Sequence, residues 1–533
     1  MFPQLESLSN RIAGQSPYYI LAIVCSAMVL DLANLSAITI ALPTVQKNFD
    51  VEVGNLQWAI SAYALTFGGF LLLGGRAGDM FGHRKVLLFG MTFFAVFTLV
   101  CALAPTFISL IVARAFQGIG AASTIPPAQA HIALCFPQPA QKAKAVGIWG
   151  AAGSLGFIIG LILGGVLTAL LTWRWIFWIS LILSAILLPL AYLILPHARL
   201  PQSATPPPSA EVDTATEVPP KKEFLISLRE RLVRFDTIGI SLGVPGILLL
   251  TYALTSANTD GWGSAQIIAT LIVSVVLLAI FVFHERSAPQ AILPPHLFRS
   301  LSFNMTLILA VNIYAVRQAC TYFLTVQLQS YGNSAIHTSV LFLPQGISAL
   351  IFNTLSGYLV PFLGARAMFI LGWGLSILGS LLFAFVDKDT SYWRFTFPGM
   401  ILYIAGMVAV YNTANYVVVS SASKKDQGAA AGVFNVALQV GGSVLGLAVL
   451  TAISEGMEKR YGDNSLPSGT LGVVGYQSVY YSCVVLCALG FLLSFLVVKV
   501  PGGMEGSIWQ KKDSVEAQTS SVDSSSNELQ DLQ

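Results

Sequence analysis

Gly75-Arg-Ala-Gly-Asp-Met-Phe-Gly-His-Arg-Lys85 is a short charged stretch set between two long apolar runs. A tight turn at this place needs residues that tolerate positive φ, which Gly78 and Gly82 supply. Asp79 can accept backbone N–H groups, and the basic residues that follow favour the cytoplasmic side of a membrane. The stretch therefore reads as a turn tying two membrane helices together at one face.

The composition around it agrees. Of 533 residues, 55% are hydrophobic and 10% charged, and the mean hydropathy is +0.73. A soluble globular chain of this length does not have that balance. Crossing about 30 Å of hydrocarbon takes roughly 20 apolar residues per helix. Such runs recur at about 18–42, 56–75, 86–104, 108–130, 145–170, 175–195, 236–256, 265–283, 301–325, 337–360, 366–386, 395–419, 428–453 and 476–499. The fold class is therefore an all-α polytopic membrane protein with fourteen spans, the first of them an uncleaved signal anchor.

The spans divide the chain into a cytoplasmic N-terminus (1–17), a six-helix half (18–195), a polar linker (196–235), two further helices (236–283), a short loop (284–300), a second six-helix half (301–499) and a tail (500–533). Pro206, Pro207, Pro208, Glu211, Asp213, Lys221 and Lys222 mark the linker as unable to bury a core. With both termini cytoplasmic, only Lys47, Arg174, Lys388, Arg394, Lys459 and Arg460 of the 28 Lys and Arg fall outside, and Arg114 and Arg317 lie within spans. No Asn-x-Ser/Thr sequon falls in an outer loop, so no N-glycan is expected. The six cysteines lie in or beside apolar runs without metal-ligand spacing and read as small core residues.

A repeat is visible within the chain. Gly357, Leu359, Gly364 and Arg366 reproduce the spacing of the Gly75 stretch midway through the second six-helix block, with Pro361 at the place of the acid. Two homologous halves with helices 7 and 8 inserted between them follow from it.

These residues resemble a known family. The Gly75 stretch is similar to the signature Gly-x-Leu-Ala-Asp-Arg-x-Gly-Arg-Lys of the major facilitator superfamily, matched by Gly75, Asp79, Gly82 and Arg84, with Ala77 and Met80 departing from it. The layout as a whole resembles the fourteen-span drug:proton antiporter branch, its fungal multidrug and aminotriazole-resistance-like exporters in particular. The resemblance implies two helical halves rocking about a midplane cavity, a small-molecule substrate, coupling to protons, and a place in the plasma membrane or the vacuolar membrane.

Asp31 is the most informative residue inside a span. A charged Asp at a helix centre costs roughly 2.5–3.5 kcal/mol on insertion scales, so it is protonated, paired or wetted. Asp31 reads either as a proton site, its protonation set by burial and a nearby cation, or as a neutral acid bonded to Asn34 one turn away. Arg114 is its expected partner, a static ion pair being the alternative. The Arg114-x-x-Gln117-Gly118 pattern resembles the family's span 4 motif associated with proton coupling. Arg114 is placed with Asp31 as proton-coupling, and Asn34 and Gln117 among the substrate-binding residues.

Arg317, in the outer half of its span, either faces the cavity or snorkels to the outer interface. Asn412 and Asn415, flanked by Tyr411 and Tyr416, suit a cavity for amphipathic molecules. Asn435 and Gln439 line the cavity or bond between helices. Gly156, Gly160 and Gly164 form a stripe that lets backbones approach; Gly160 to Gly165 resembles the exporters' span 5 motif, with Leu161 replacing its proline. Asp426 complements a helix dipole, and the family's arrangement would couple it to the Gly75 turn.

No phosphate-binding glycine loop, metal-ligand spacing or catalytic cluster occurs, so no cofactor, enzymatic activity or nucleic-acid partner is expected. The expectation is a monomeric exporter driven by the proton gradient. Uptake of a nutrient, siderophore or inorganic anion, and a non-transporting receptor or scaffold, remain as alternatives.

Overall fold

The computed structural model describes residues 17–50, 58–195, 236–288, 291–333, 335–462 and 471–495, and no strand occurs among them. The linker, the short loop's Pro289 and Gln290, and both terminal segments expected from the sequence lie wholly or largely outside the described residues.

The first half is built from α1 (Pro17–Phe49), α2 (Trp58–Phe81), α3 (His83–Leu103), α4 (Phe107–Ala122), α5 (Ile125–Cys135), α6 (Pro139–Leu170) and α7 (Arg174–Ile194). The inserted pair is α8 (Thr237–Asp260) and α9 (Ala265–Glu285). The second half has α10 (Leu301–Ser330), α11 (Ala335–Leu341), α12 (Leu343–Phe383), α13 (Thr396–Ser421), α14 (Gln427–Val436), a π-helical stretch (Ala437–Gly446), α15 (Leu447–Tyr461) and α16 (Val473–Ser494). Thirteen helical runs among the described residues are long and apolar enough to cross a membrane. One of them, α12, has 41 residues, about 60 Å at 1.5 Å per residue and twice what hydrocarbon requires. Gly364, at φ 80°, divides it into two span-length segments. Elsewhere a predicted single span is interrupted: α4 and α5 meet at Ser123 and Thr124, with proline opening the second.

The Gly75 stretch departs from its expected shape. Helix α2 continues to Phe81, so Gly75, Gly78 and Asp79 are helical, and only Gly82 has positive φ, at 96°. The glycines serve close approach instead. A side chain on Gly75 would drive into the Gly428 carbonyl, 3.2 Å from the Gly432 Cα, and one on Gly78 would meet the His83 ring. The acid is satisfied across the molecule. Asp79 Oδ1 accepts the Gly428 N–H at 2.8 Å and Oδ2 the Ala429 N–H at 2.6 Å, both at the start of α14. A carboxylate capping the positive end of another helix is favourable, and Arg76 adds a pair to Asp426 at 3.9 Å. Asp426 thus touches the Gly75 stretch through Arg76.

The second half repeats the device. Gly364 stands where Gly82 stands, and Gly357 meets Gly147 of α6 as Gly75 meets Gly428, the Gly357 Cα lying 2.8 Å from a Cβ placed on Gly147. Each Gly-x-Arg also anchors on the last helix of its own half. Arg84 Nη2 donates to the Tyr192 carbonyl at 2.6 Å, and Arg366 lies over the Phe495 ring at 5.4 Å. Pro361 leaves the second copy without a carboxylate, so the two junctions are unequal: one is held by ionic caps, the other by glycine contact.

Asp79→Asn leaves a neutral acceptor for one of the two amides and sets a side-chain NH2 against the other, a loss of about 1–3 kcal/mol. The purified variant should melt several degrees below wild type in a thermal scan, whereas Met80→Leu on the same turn should not.

Candidate functional site

The glycine stripe of α6 faces α1. Gly156, Gly160 and Gly164 lie against the backbones of Val29, Ala33 and Ala37, and Ser36 Oγ donates to the Phe157 carbonyl at 3.0 Å. On the far side, Gly118 seats α4 on α2 at Tyr63 and Thr66. Those two close contacts fix the heights of Asp31 and Arg114.

Asp31 and Arg114 do not form a direct ion pair among the described residues. Tyr63 stands between them. Its hydroxyl donates to Asp31 Oδ1, and its ring carries the Arg114 guanidinium, 4.4 Å from the centroid. Arg114 is fully buried, and its hydrogen bonds go elsewhere. Nη1 donates to Asn34 Oδ1 at 2.8 Å and to Gln117 Oε1 at 2.7 Å, and Nε to the Ala59 carbonyl at 3.0 Å. The second ring of contacts holds these acceptors: Asn34 Nδ2 donates to Ser180 Oγ at 3.2 Å and Gln117 Nε2 to Thr98 Oγ1 at 2.7 Å. Asn34, read from the sequence as a partner for Asp31 or for substrate, instead serves Arg114, as does Gln117. Both amides are buried to 1% exposure or less.

This arrangement has a chemical consequence. Arg114 keeps its hydrogen bonds whether or not Asp31 is charged, because its acceptors are neutral amides and a backbone carbonyl. Asp31, 7% exposed, borders a small pocket lined also by Leu30, Met91, Phe94, Thr124 and Ser184. A proton can thus be held or released at Asp31 without leaving the guanidinium unpartnered. Tyr63 is the functional side chain the sequence reading missed. Its only signal was an aromatic hydroxyl in the polar company of Ser61 and Thr66.

The amides of the second half lie mainly at the junction with the first. Asn412 Nδ2 donates to Asn353 Oδ1 at 2.9 Å and to Ser356 Oγ at 2.5 Å, while Asn353 Nδ2 reaches Ser154 Oγ of α6 at 3.1 Å. Asn435 Nδ2 donates to Gln129 Oε1 of α5 at 2.6 Å. Asn415 borders a second small pocket with Gln129, Lys142 and Trp149. Gln439 lies half-buried in the π-helical stretch, whose Gly441, Gly442 and Gly446 press on Val311, Tyr314 and Ala315. Such π segments are frequent at functional sites. Arg317 lies just past the middle of α10, about 24 Å from its start and about 20 Å from its end at 1.5 Å per residue. Its guanidinium folds back over the Tyr314 ring at 4.4 Å, away from the interface to which it would snorkel.

Comparison with known proteins places this geometry. The family model described as Major Facilitator Superfamily matches residues 24–446. The chain is 31% identical over 464 residues to a puromycin resistance protein of Streptomyces alboniger, covering 86% of each. It is 27% identical to a low affinity ammonium transporter of Saccharomyces cerevisiae, covering 89% of this chain and 86% of that one. Among solved structures, the human organic anion transporter MFSD10 superposes with a TM-score of 0.62 at 15% identity, over 90% of this chain and 99% of that one, a likeness of fold alone.

The two helical halves with their repeated glycine junctions and buried polar network are those of a membrane transporter of small molecules, not of an enzyme. The chain belongs to the Major Facilitator Superfamily.

Arg114→Ala leaves the acceptors of Asn34, Gln117 and Ala59 unanswered in a dry site, at roughly 1–3 kcal/mol each. Its folded yield on size-exclusion chromatography should fall about tenfold or more, with Arg114→Lys intermediate because an ammonium cannot reach all three at the fork geometry.

Proposed function

We propose that the protein is a proton-coupled exporter, an antiporter, of small organic molecules, belonging to the fourteen-span drug:proton antiporter branch and working by alternating access. The observation that carries this reading is the Asp31–Tyr63–Arg114 arrangement. A carboxyl deep in the membrane is held by a neutral hydroxyl, next to a cation whose own contacts do not require it. Protonation of Asp31 therefore changes charge at one point in the first half without dismantling it. For coupling, proton and substrate must bind the inward and outward states unequally.

The described contacts between the halves gather toward the face bearing Gly82 and Gly364: Asp79 on Gly428 and Ala429, Gly147 on Gly357, Gln129 on Asn435 and Ser154 on Asn353. In this reading that face is cytoplasmic, with both termini on the same side, and the contacts belong to a state closed toward the cytoplasm. Opening inward then requires Asp79 to release the two amides. The chain works as a monomer in the plasma membrane, or in the vacuolar membrane, drawing energy from the proton gradient and needing no bound cofactor.

Export is supported by the resistance protein of Streptomyces and by the glycine stripe of α6; the yeast relative supports uptake as the second reading. Purified protein in liposomes with an imposed pH gradient separates them. Puromycin, ammonium, a weak acid and borate are offered in turn, and proton flux is followed with an internal dye. Export by antiport predicts proton flux driven by at least one organic probe, in the direction opposite to it, and its loss in Asp31→Asn with substrate exchange retained. Proton flux in the same direction as the probe would establish symport, and transport with no proton movement in wild type would defeat the coupling.

A further inference from the structure

The two arginines of the membrane interior are held differently. Arg114 makes three hydrogen bonds and faces the ring that also holds Asp31. Arg317 has no carboxylate partner among the described residues. Its Nε is buried without a hydrogen bond, as is Nη2 of Arg114, and the described neighbours of Arg317 are the Tyr314 face and the neutral Tyr403 and Tyr411. A cation–π contact lowers the cost of burying a guanidinium but supplies no counter-charge. Intramembrane charges are as a rule paired or set on a substrate path, so Arg317 is a positive charge awaiting an anion.

The surroundings describe that anion's body. Tyr314 of α10 leads to Tyr411 of α13, with ring centroids 5.9 Å apart, and both are half-buried. Phe434 of α14, fully buried, backs Tyr411 at 6.0 Å. Tyr314 is fixed from behind by Gly442 of the π-helical stretch. One turn on from Tyr411, Asn415 borders a small pocket against the first half. A cationic fork at the head of an aromatic pair suits a flat apolar molecule ending in a carboxylate, which a guanidinium grips through two parallel hydrogen bonds.

We propose that Arg317, with the Tyr314–Tyr411 pair, is the substrate-specificity site of the transporter and selects organic anions with a planar, aromatic body. The proposal rests on the transport reading but not on its proton coupling or direction.

The test is equilibrium binding to the full-length protein in nanodiscs, with no proton gradient, of three probes sharing one ring system: 2-naphthoate, 2-naphthamide and 2-naphthylmethylammonium. Wild type should bind 2-naphthoate at least about tenfold more tightly than the amide or the ammonium. Arg317→Gln should erase that preference, and Arg317→Lys should keep part of it, since the charge remains and the fork does not. Equal or better binding of the amide or the ammonium by wild type overturns the proposal, as does failure to bind 2-naphthoate. Unchanged 2-naphthoate binding in Arg317→Gln overturns it too. The comparison of probes on wild type needs no variant, so a misfolded Arg317→Gln leaves the test intact. Because no gradient is applied, an absence of proton coupling would not alter any of these outcomes.

Discussion

Hydrocarbon offers Arg114 no water. Much of the first half is arranged around that one guanidinium, three of whose N–H groups find acceptors while Nη2 has none among the described residues. Its three acceptors come from α1, α2 and α4, so those helices must approach to within a side chain's length at a fixed height. Gly118 permits the contact between α4 and α2, and the Gly156, Gly160 and Gly164 stripe presses α1 from behind. The acceptors are tied back in turn to Thr98 on α3 and Ser180 on α7. Five spans thus share one cation. Asp31 is reached only through Tyr63, which makes it the one ionisable member whose charge can change while the rest stays bonded.

The junction of the halves follows a different logic. At its two closest points glycines leave room for backbones to meet, Gly75 on Gly428 and Gly147 on Gly357, while polar side chains bridge it elsewhere. Small-residue contacts of this kind give close packing with few interlocking side chains, which suits surfaces that must part and meet again. Only the first junction adds charge, through Asp79 and the Arg76–Asp426 pair. The second, with Pro361 in the acid's place, has no such clasp. The halves are alike in fold and unlike in how firmly they hold each other.

Much of this was legible in the sequence, because membrane helices are written locally. Runs of about twenty apolar residues mark each crossing, and Gly82 and Gly364 announce the breaks by needing positive φ. Intramembrane Asp31, Arg114 and Arg317 stood out because charge there is expensive. What stayed hidden depends on partners far away along the chain. Asp79 looked like a residue serving its own turn, yet its amides lie some 350 positions on. Asn34 looked like a neighbour for Asp31 one turn away, yet it turns to Arg114 because a guanidinium has more donors to place than a carboxyl has acceptors to offer. Gln129 and Asn353 carry no local mark, and Tyr63 only the faint one of its polar neighbours. Their roles appear only when α2, α5 and α12 are set against their neighbours.

The central claim is that Asp31 exchanges a proton within a network that otherwise remains intact. Infrared difference spectroscopy of the purified protein, recorded with and without a transported substrate, reads that proton directly. A protonated-carboxyl band that changes on substrate addition in wild type, and is missing in Asp31→Asn, is the result expected. A spectrum with no carboxyl change in wild type, or the same band persisting in Asp31→Asn, would contradict it and leave Asp31 a fixed member of the helix packing.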